Sequence, residues 1–235
     1  MTLVLIGLAV GVLYGALGAG GSAFATPLLA LAGVPAAVAV ASPLPATLPA
    51  ALVGAWSYRR SGDVVPDVAR RATLVGLPCA VLGALASGLV PGAALLALSA
   101  VLLVVMGVRM LADGDSPGMP VVPACAGVGF AAGLLANSGG FLLVPVFVMV
   151  GLGMRRAAGT SLMVAAALSI PTLATHLLLG HIDWSVAVRF AAGLVPATLL
   201  GSWLSRALPP ERTQRTFGAV LLLFAGWFLV RQVMP

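Results

Sequence analysis

Two stretches decide how this chain folds: Gly15-Ala-Leu-Gly-Ala-Gly-Gly-Ser-Ala-Phe-Ala-Thr-Pro27 and Gly133-Leu-Leu-Ala-Asn-Ser-Gly-Gly-Phe-Leu-Leu-Val-Pro145. Each stands between two apolar runs that fall short of the roughly 20 residues a bilayer-spanning helix needs. The offset of 118 between them continues through Gly21/Gly139, Pro27/Pro145, Gly33/Gly151, Gly62/Gly180, Arg71/Arg189, Pro78/Pro196, Gly83/Gly201 and Pro91/Pro209, without a gap. Alanine and leucine coincide by chance in so apolar a chain. An ordered series of glycines and prolines does not, because these residues mark where a backbone bends or is approached closely.

Working outward, 61% hydrophobic and 8% charged residues, with a mean hydropathy of +1.14, lie far from the usage of soluble domains. This is the composition of an all-α polytopic membrane protein. Cut at Gly, Pro and Arg, the first half yields segments at about Leu3–Gly18, Ser22–Ala32, Ala36–Tyr58, Val68–Leu89 and Gly92–Leu111. The second yields Val122–Ala136, Gly140–Val150, Arg156–Leu179, Trp184–Leu208 and Thr213–Val233. The first two of each half are short, as re-entrant or broken helices are. Residues 1–112 and 122–235 are thus two five-segment repeats joined by a cytoplasmic linker at 113–121. A signal peptide is the competing reading of the first twenty residues. They lack a positive n-region, and they have a counterpart inside the chain.

All twelve basic residues are arginine, and they cluster. With ten segments, Arg59, Arg60, Arg70, Arg71, Arg109, Arg155, Arg156, Arg206, Arg212 and Arg215 fall at odd-numbered loops, whereas Arg189 and Arg231 stand apart. Cytoplasmic loops collect arginine, so both termini are expected in the periplasm of a bacterial inner membrane protein. An odd count inserts the second half upside down, and such inverted repeats build many secondary transporters.

The glycines of Ala19-Gly-Gly-Ser22 and Asn137-Ser-Gly-Gly140 each precede a new short helix. If the pairs fold back within the membrane, two helix N-termini offer unpaired N–H groups and partial positive charge to an anion. Gly20, Gly21, Ser22, Asn137, Ser138, Gly139 and Gly140 are the expected substrate-binding residues. Ser42, Thr160 and Ser161 supply hydroxyls in the third segment of each half, although such hydroxyls often bond their own helix carbonyls. His176 and Asp183 are candidates to carry a coupling proton, since histidine titrates near neutral pH. An interfacial polar turn anchored by Trp184 is the plainer reading. Cys79 and Cys125 lack a CxxC partner, two histidines and one aspartate make a thin metal set, and no P-loop, GxSxG or HExxH is present. No enzymatic activity, cofactor, metal or nucleic-acid partner is therefore expected. The expected partners are a small anion, the lipid bilayer, a coupling proton or sodium ion, and, as one option, further copies of the chain.

Gly139-Gly-Phe-Leu-Leu-Val-Pro145, Ala158-Gly-Thr-Ser-Leu162 and Gly180-His-Ile-Asp-Trp184, with Gly18-Ala-Gly-Gly-Ser-Ala-Phe-Ala-Thr-Pro27 in the first half, resemble the motifs of the TauE/SafE sulfite exporter family. That resemblance covers essentially the whole chain. It implies transport of sulfite, sulfoacetate or a related sulfonate driven by an ion gradient. Ser22 stands where the family's third glycine is usual, Ala136-Asn137-Ser138 replaces Gly-x-Gly, and Ser42-Pro43 replaces Thr-Ser, all at positions given to the anion. An anion channel using the same helix ends and a non-transporting membrane scaffold are the alternatives.

Overall fold

The computed structural model describes residues 1–18, 24–25, 28–29, 32–35, 38–39, 42–87, 90, 92–111, 120–135, 140–178 and 182–233. Among them the elements are α1 (Thr2–Ala16), α2 (Leu44–Arg60), α3 (Pro66–Ser87), α4 (Gly92–Leu111), α5 (Val121–Leu134), α6 (Gly140–Met149), α7 (Met154–Leu178), α8 (Trp184–Ala207) and α9 (Pro210–Val233). No strand is present among the described residues. Pro66 and Pro210 open α3 and α9 at the position where a missing N–H has no intrahelical partner to lose. Asp183 caps α8, its carboxylate accepting from the Ser185 and Val186 amides at 2.8 and 3.3 Å. Arg155 closes the other end of α8, donating to the carbonyls of Arg206 (2.8 Å) and Leu208 (3.0 Å).

Segments Pro66–Ala86, Met154–Ala174 and Trp184–Ala207 are long and apolar enough to cross a membrane. Their outward faces carry exposed Leu74, Leu82, Leu85, Leu200 and Trp203, a surface suited to hydrocarbon. The 15 residues of α1 reach only about 22 Å at 1.5 Å per residue. The ten-residue α6 is buried on every side through Leu142, Leu143, Val144, Val146 and Phe147. It therefore lies inside the protein.

Helices pair across the two halves, along seams of small residues. Helix α1 runs parallel to α8, with Gly7 against Phe190, Gly11 against Leu194 and Gly15 against Thr198. Helix α5 runs parallel to α3 in the same way, with Gly129 against Gly76 and Gly133 against Ala80. A Cβ on Gly11 would stand 2.5 Å from the Leu194 carbonyl, and one on Gly129 would stand 2.5 Å from that of Gly76. These contacts are related by the same offset of 118, exchanged between halves. Gly201 against Val12 and Gly83 against Phe130 repeat the relation.

Loop geometry repeats as well. The Leu17 amide donates to Leu13 and the Leu135 amide to Ala131, both at 2.9 Å. Val34 donates to Leu29 at 3.1 Å and Leu152 to Phe147 at 2.9 Å, next to Gly33 and Gly151 at φ +84° and +102°. These two turns thus repeat between the halves, whereas residues 42–43 form a turn and their equivalents 160–161 lie within α7.

Most of the arginines gather at one end of the bundle, whereas Arg189 lies near the opposite end, in the first part of α8. Arg155 binds the end of α8, Arg206 donates to Ser57 near the end of α2 at 3.3 Å, and Gln214 at the start of α9 donates to Met110 at the end of α4 at 3.2 Å. Parallel pairing then starts α5 at this arginine-bearing end and α1 at the opposite one.

Candidate substrate site

Helix α1 stops because Gly18 takes φ +77°, the left-handed conformation that ends helices and that glycine adopts without a steric penalty. Space restricts the same position. A Cβ there would meet Ser161 Oγ at 2.7 Å, Ala158 Cα at 2.8 Å and Val144 Cγ2 at 2.9 Å. The first glycine motif is therefore seated on α7 and on α6, the short helix that carries the second motif. The last-turn carbonyls of α1 need partners in this apolar interior. The buried Tyr58 hydroxyl donates to the Gly15 carbonyl at 2.9 Å, with the Ala16 carbonyl at 3.5 Å.

Helix α6 begins at buried Gly140. The amides of its first turn have no acceptor within the helix and point back toward the preceding residues. Asn137, Ser138 and Gly139 lie outside the described residues, as do Gly20, Gly21 and Ser22. His176 belongs to α7 at the position 118 residues after Tyr58, and its side chain is also outside the described set.

The three hydroxyls are fully buried and differently engaged. Ser42 Oγ accepts the Asp183 amide at 3.0 Å, and Thr160 Oγ1 accepts the Val65 amide at 3.1 Å. Ser161 donates to the Ala158 carbonyl at 2.8 Å while its oxygen borders Gly18. Asp183 is exposed. Hydrogen bonds from Ser185, first through its side chain, and from the Val186 and Ser185 amides hold its carboxyl below the ordinary carboxylate range. It stays ionised through neutral pH.

Apart from tyrosine hydroxyls, every fully buried polar side chain among the described residues is a serine or threonine. No carboxylate lies among them to neutralise a bound cation. No group of three His, Cys, Asp or Glu gathers among the described residues either. Hydroxyls and helix-end amides are hydrogen-bond donors, the chemistry that replaces the hydration of an anion. Gly18 and Tyr58 fix the end of α1 against the rest of the protein, and motif reading passed over both. The motif itself contained Gly18, but nothing in its spacing showed that this glycine and not Gly20 or Gly21 ends α1. No periodicity marks a single tyrosine as the partner of a distant carbonyl.

Long apolar helices packed along glycine seams define a class, the polytopic membrane proteins. The family model of the sulfite exporter TauE/SafE matches residues 3–228, and the chain belongs to that family. It is similar to the probable membrane transporter protein YdhB of Bacillus subtilis (strain 168), 24% identical over 89% of this chain and 91% of that one. It is similar also to probable membrane transporter proteins of Xylella fastidiosa. That of strain 9a5c is 29% identical and that of strain Temecula1 28%, each over 94% of this chain and 92% of the relative. No solved structure matches the chain.

Proposed function

We propose that this transporter carries a small sulfur-containing or organic anion, of the sulfite, sulfonate or sulfoacetate type, across the bacterial inner membrane. Alternating access between two inverted five-segment halves moves it. Contacts exchanged at a constant offset of 118 support the inverted repeat, since equivalent helices α1 and α5 start from opposite ends of the bundle. Arginines collected at one end support a cytoplasmic assignment for that end and periplasmic termini.

One observation carries the site: the Gly18 turn packs directly on α6 and Ser161 within the protein. On this reading the two glycine motifs serve one interior, with Gly20, Gly21, Ser22, Asn137, Ser138, Gly139 and Gly140 as the substrate-binding residues. Ser161 adds a hydroxyl. That the fully buried polar groups among the described residues include no carboxylate favours an anion over a cation.

The test is flux into proteoliposomes of sulfite, sulfoacetate, thiosulfate and sulfate under imposed proton or sodium gradients. Saturable, gradient-dependent uptake of at least one sulfur oxyanion is expected. Single-channel conductance in planar bilayers would instead assign a channel, and no flux of any probe would remove the transport reading.

A further inference from the structure

Among the contacts between halves, two hydrogen bonds form an exchanged pair. Ser42 Oγ of the first half accepts the amide of Asp183 in the second, and Thr160 Oγ1 of the second accepts the amide of Val65 in the first. Residues 42 and 160 are 118 apart, as are 65 and 183. Each accepted amide belongs to the residue just before a membrane-crossing helix, α3 or α8. Each acceptor is fully buried.

The two bonds sit toward opposite ends of the bundle. Val65 lies between α2 and α3, five residues after Arg60 and five before Arg70, at the arginine-bearing end. Asp183 starts α8 at the other end, alongside the beginning of α1. Both bonds are made in this structure, so both ends are fastened here at once.

Resting on the alternating-access reading, we infer that Ser42 and Thr160 are positioning residues acting as latches that release one at a time. Thr160 lets go of Val65 when the site opens to the arginine-bearing side, and Ser42 lets go of Asp183 when it opens to the other. Two inverted halves exchange conformations when access switches, so a contact closed at one end is matched by its counterpart open at the other. A pair kept closed throughout would pin both helix starts to the opposite half and leave no end free to part. Release also has a physical route. A buried hydroxyl and a backbone amide lose the bond that joins them across the halves, and water admitted by the opening replaces it. Because each latch is one neutral hydrogen bond, it can hold a closed end and still be broken in every cycle.

Reporter cysteines at Val64→Cys and Ile182→Cys, in a Cys79→Ala/Cys125→Ala background, test this by alkylation with a membrane-impermeant maleimide in detergent micelles. Thr160→Val is expected to speed labelling at residue 64 by about ten-fold, the shift in a closing equilibrium that one lost hydrogen bond produces, and to leave residue 182 unchanged or slower. Ser42→Ala is expected to do the reverse, and Thr160→Ser to restore the parent rate. Equal acceleration at both reporters, or acceleration at neither, would overturn the latch. The same proteins are assayed for sulfite and sulfoacetate flux in proteoliposomes. Flux in the parent with uniform labelling removes the latch alone, whereas no flux in the parent removes the transport reading and the gating role together.

Discussion

Replacing Gly18 with alanine tests how tightly the two glycine motifs are joined. The left-handed φ of +77° costs a residue with a Cβ about 1–2 kcal/mol. The added methyl also enters a space where Ser161 Oγ, Ala158 Cα and Val144 Cγ2 stand 2.7, 2.8 and 2.9 Å away, and overpacking of this kind costs about 1–3 kcal/mol. The expected destabilisation is about 2–5 kcal/mol. Gly33 separates the two contributions, because it has φ +84° and nothing within 4 Å of an added Cβ. Gly33→Ala should lose only the backbone component of about 1–2 kcal/mol, and the stiffening of the unfolded chain is common to both variants. Reversible unfolding in mixed micelles, followed by tryptophan fluorescence, reports both values. If Gly18→Ala is no more destabilising than Gly33→Ala, the close seating of α1 on α6 and α7 is refuted.

Tyr58→Phe removes the donor to the Gly15 carbonyl and should cost about 1–3 kcal/mol in the same assay, without affecting insertion. Loss of stability below that range would mean the α1 carbonyl finds another partner. Asp183 has a folded-state pKa depressed by its hydrogen bonds, so its cap contributes above the ordinary carboxylate range and is lost as pH falls through the lower folded value. The difference in thermal midpoint between the parent and Asp183→Asn should therefore be flat from pH 8 to 5 and shrink only in stronger acid. A difference that changes near pH 6–7 would instead assign Asp183 a titration of its own in the physiological range.

Much of the architecture is legible in the sequence because glycine, proline and arginine carry positional constraints. Gly92–Leu111 is a helix with the bounds expected of it, and Val122–Ala136, Gly140–Val150 and Trp184–Leu208 shift by one or two residues at their ends. Helix α9 starts at Pro210, three residues before the expected Thr213, because proline is favoured in a first turn. Of the expected third segment Ala36–Tyr58, helix α2 covers Leu44–Arg60, and residues 36, 37, 40 and 41 lie outside the described set.

Partners are less legible than segments. Apolar runs cut at Gly, Pro and Arg show that α1 and α8 are helices but not that they run side by side, since Gly7, Gly11 and Gly15 would serve a seam with any small-residue helix. Hydroxyls pose the same difficulty. Ser42, Thr160 and Ser161 stand out as polar groups in an apolar chain, yet only their positions in space show that two accept a loop amide from the opposite half while the third borders Gly18.

The central claim, that paired glycine motifs hold an anion inside the protein, is met most directly by one flux comparison. Parent and Asn137→Leu proteins, reconstituted at matched density, are assayed for uptake of sulfite and sulfoacetate under a proton or sodium gradient. Saturable flux in the parent and none in the variant is the predicted result, because leucine removes the amide donors of the second motif. Undiminished flux in Asn137→Leu would contradict the account.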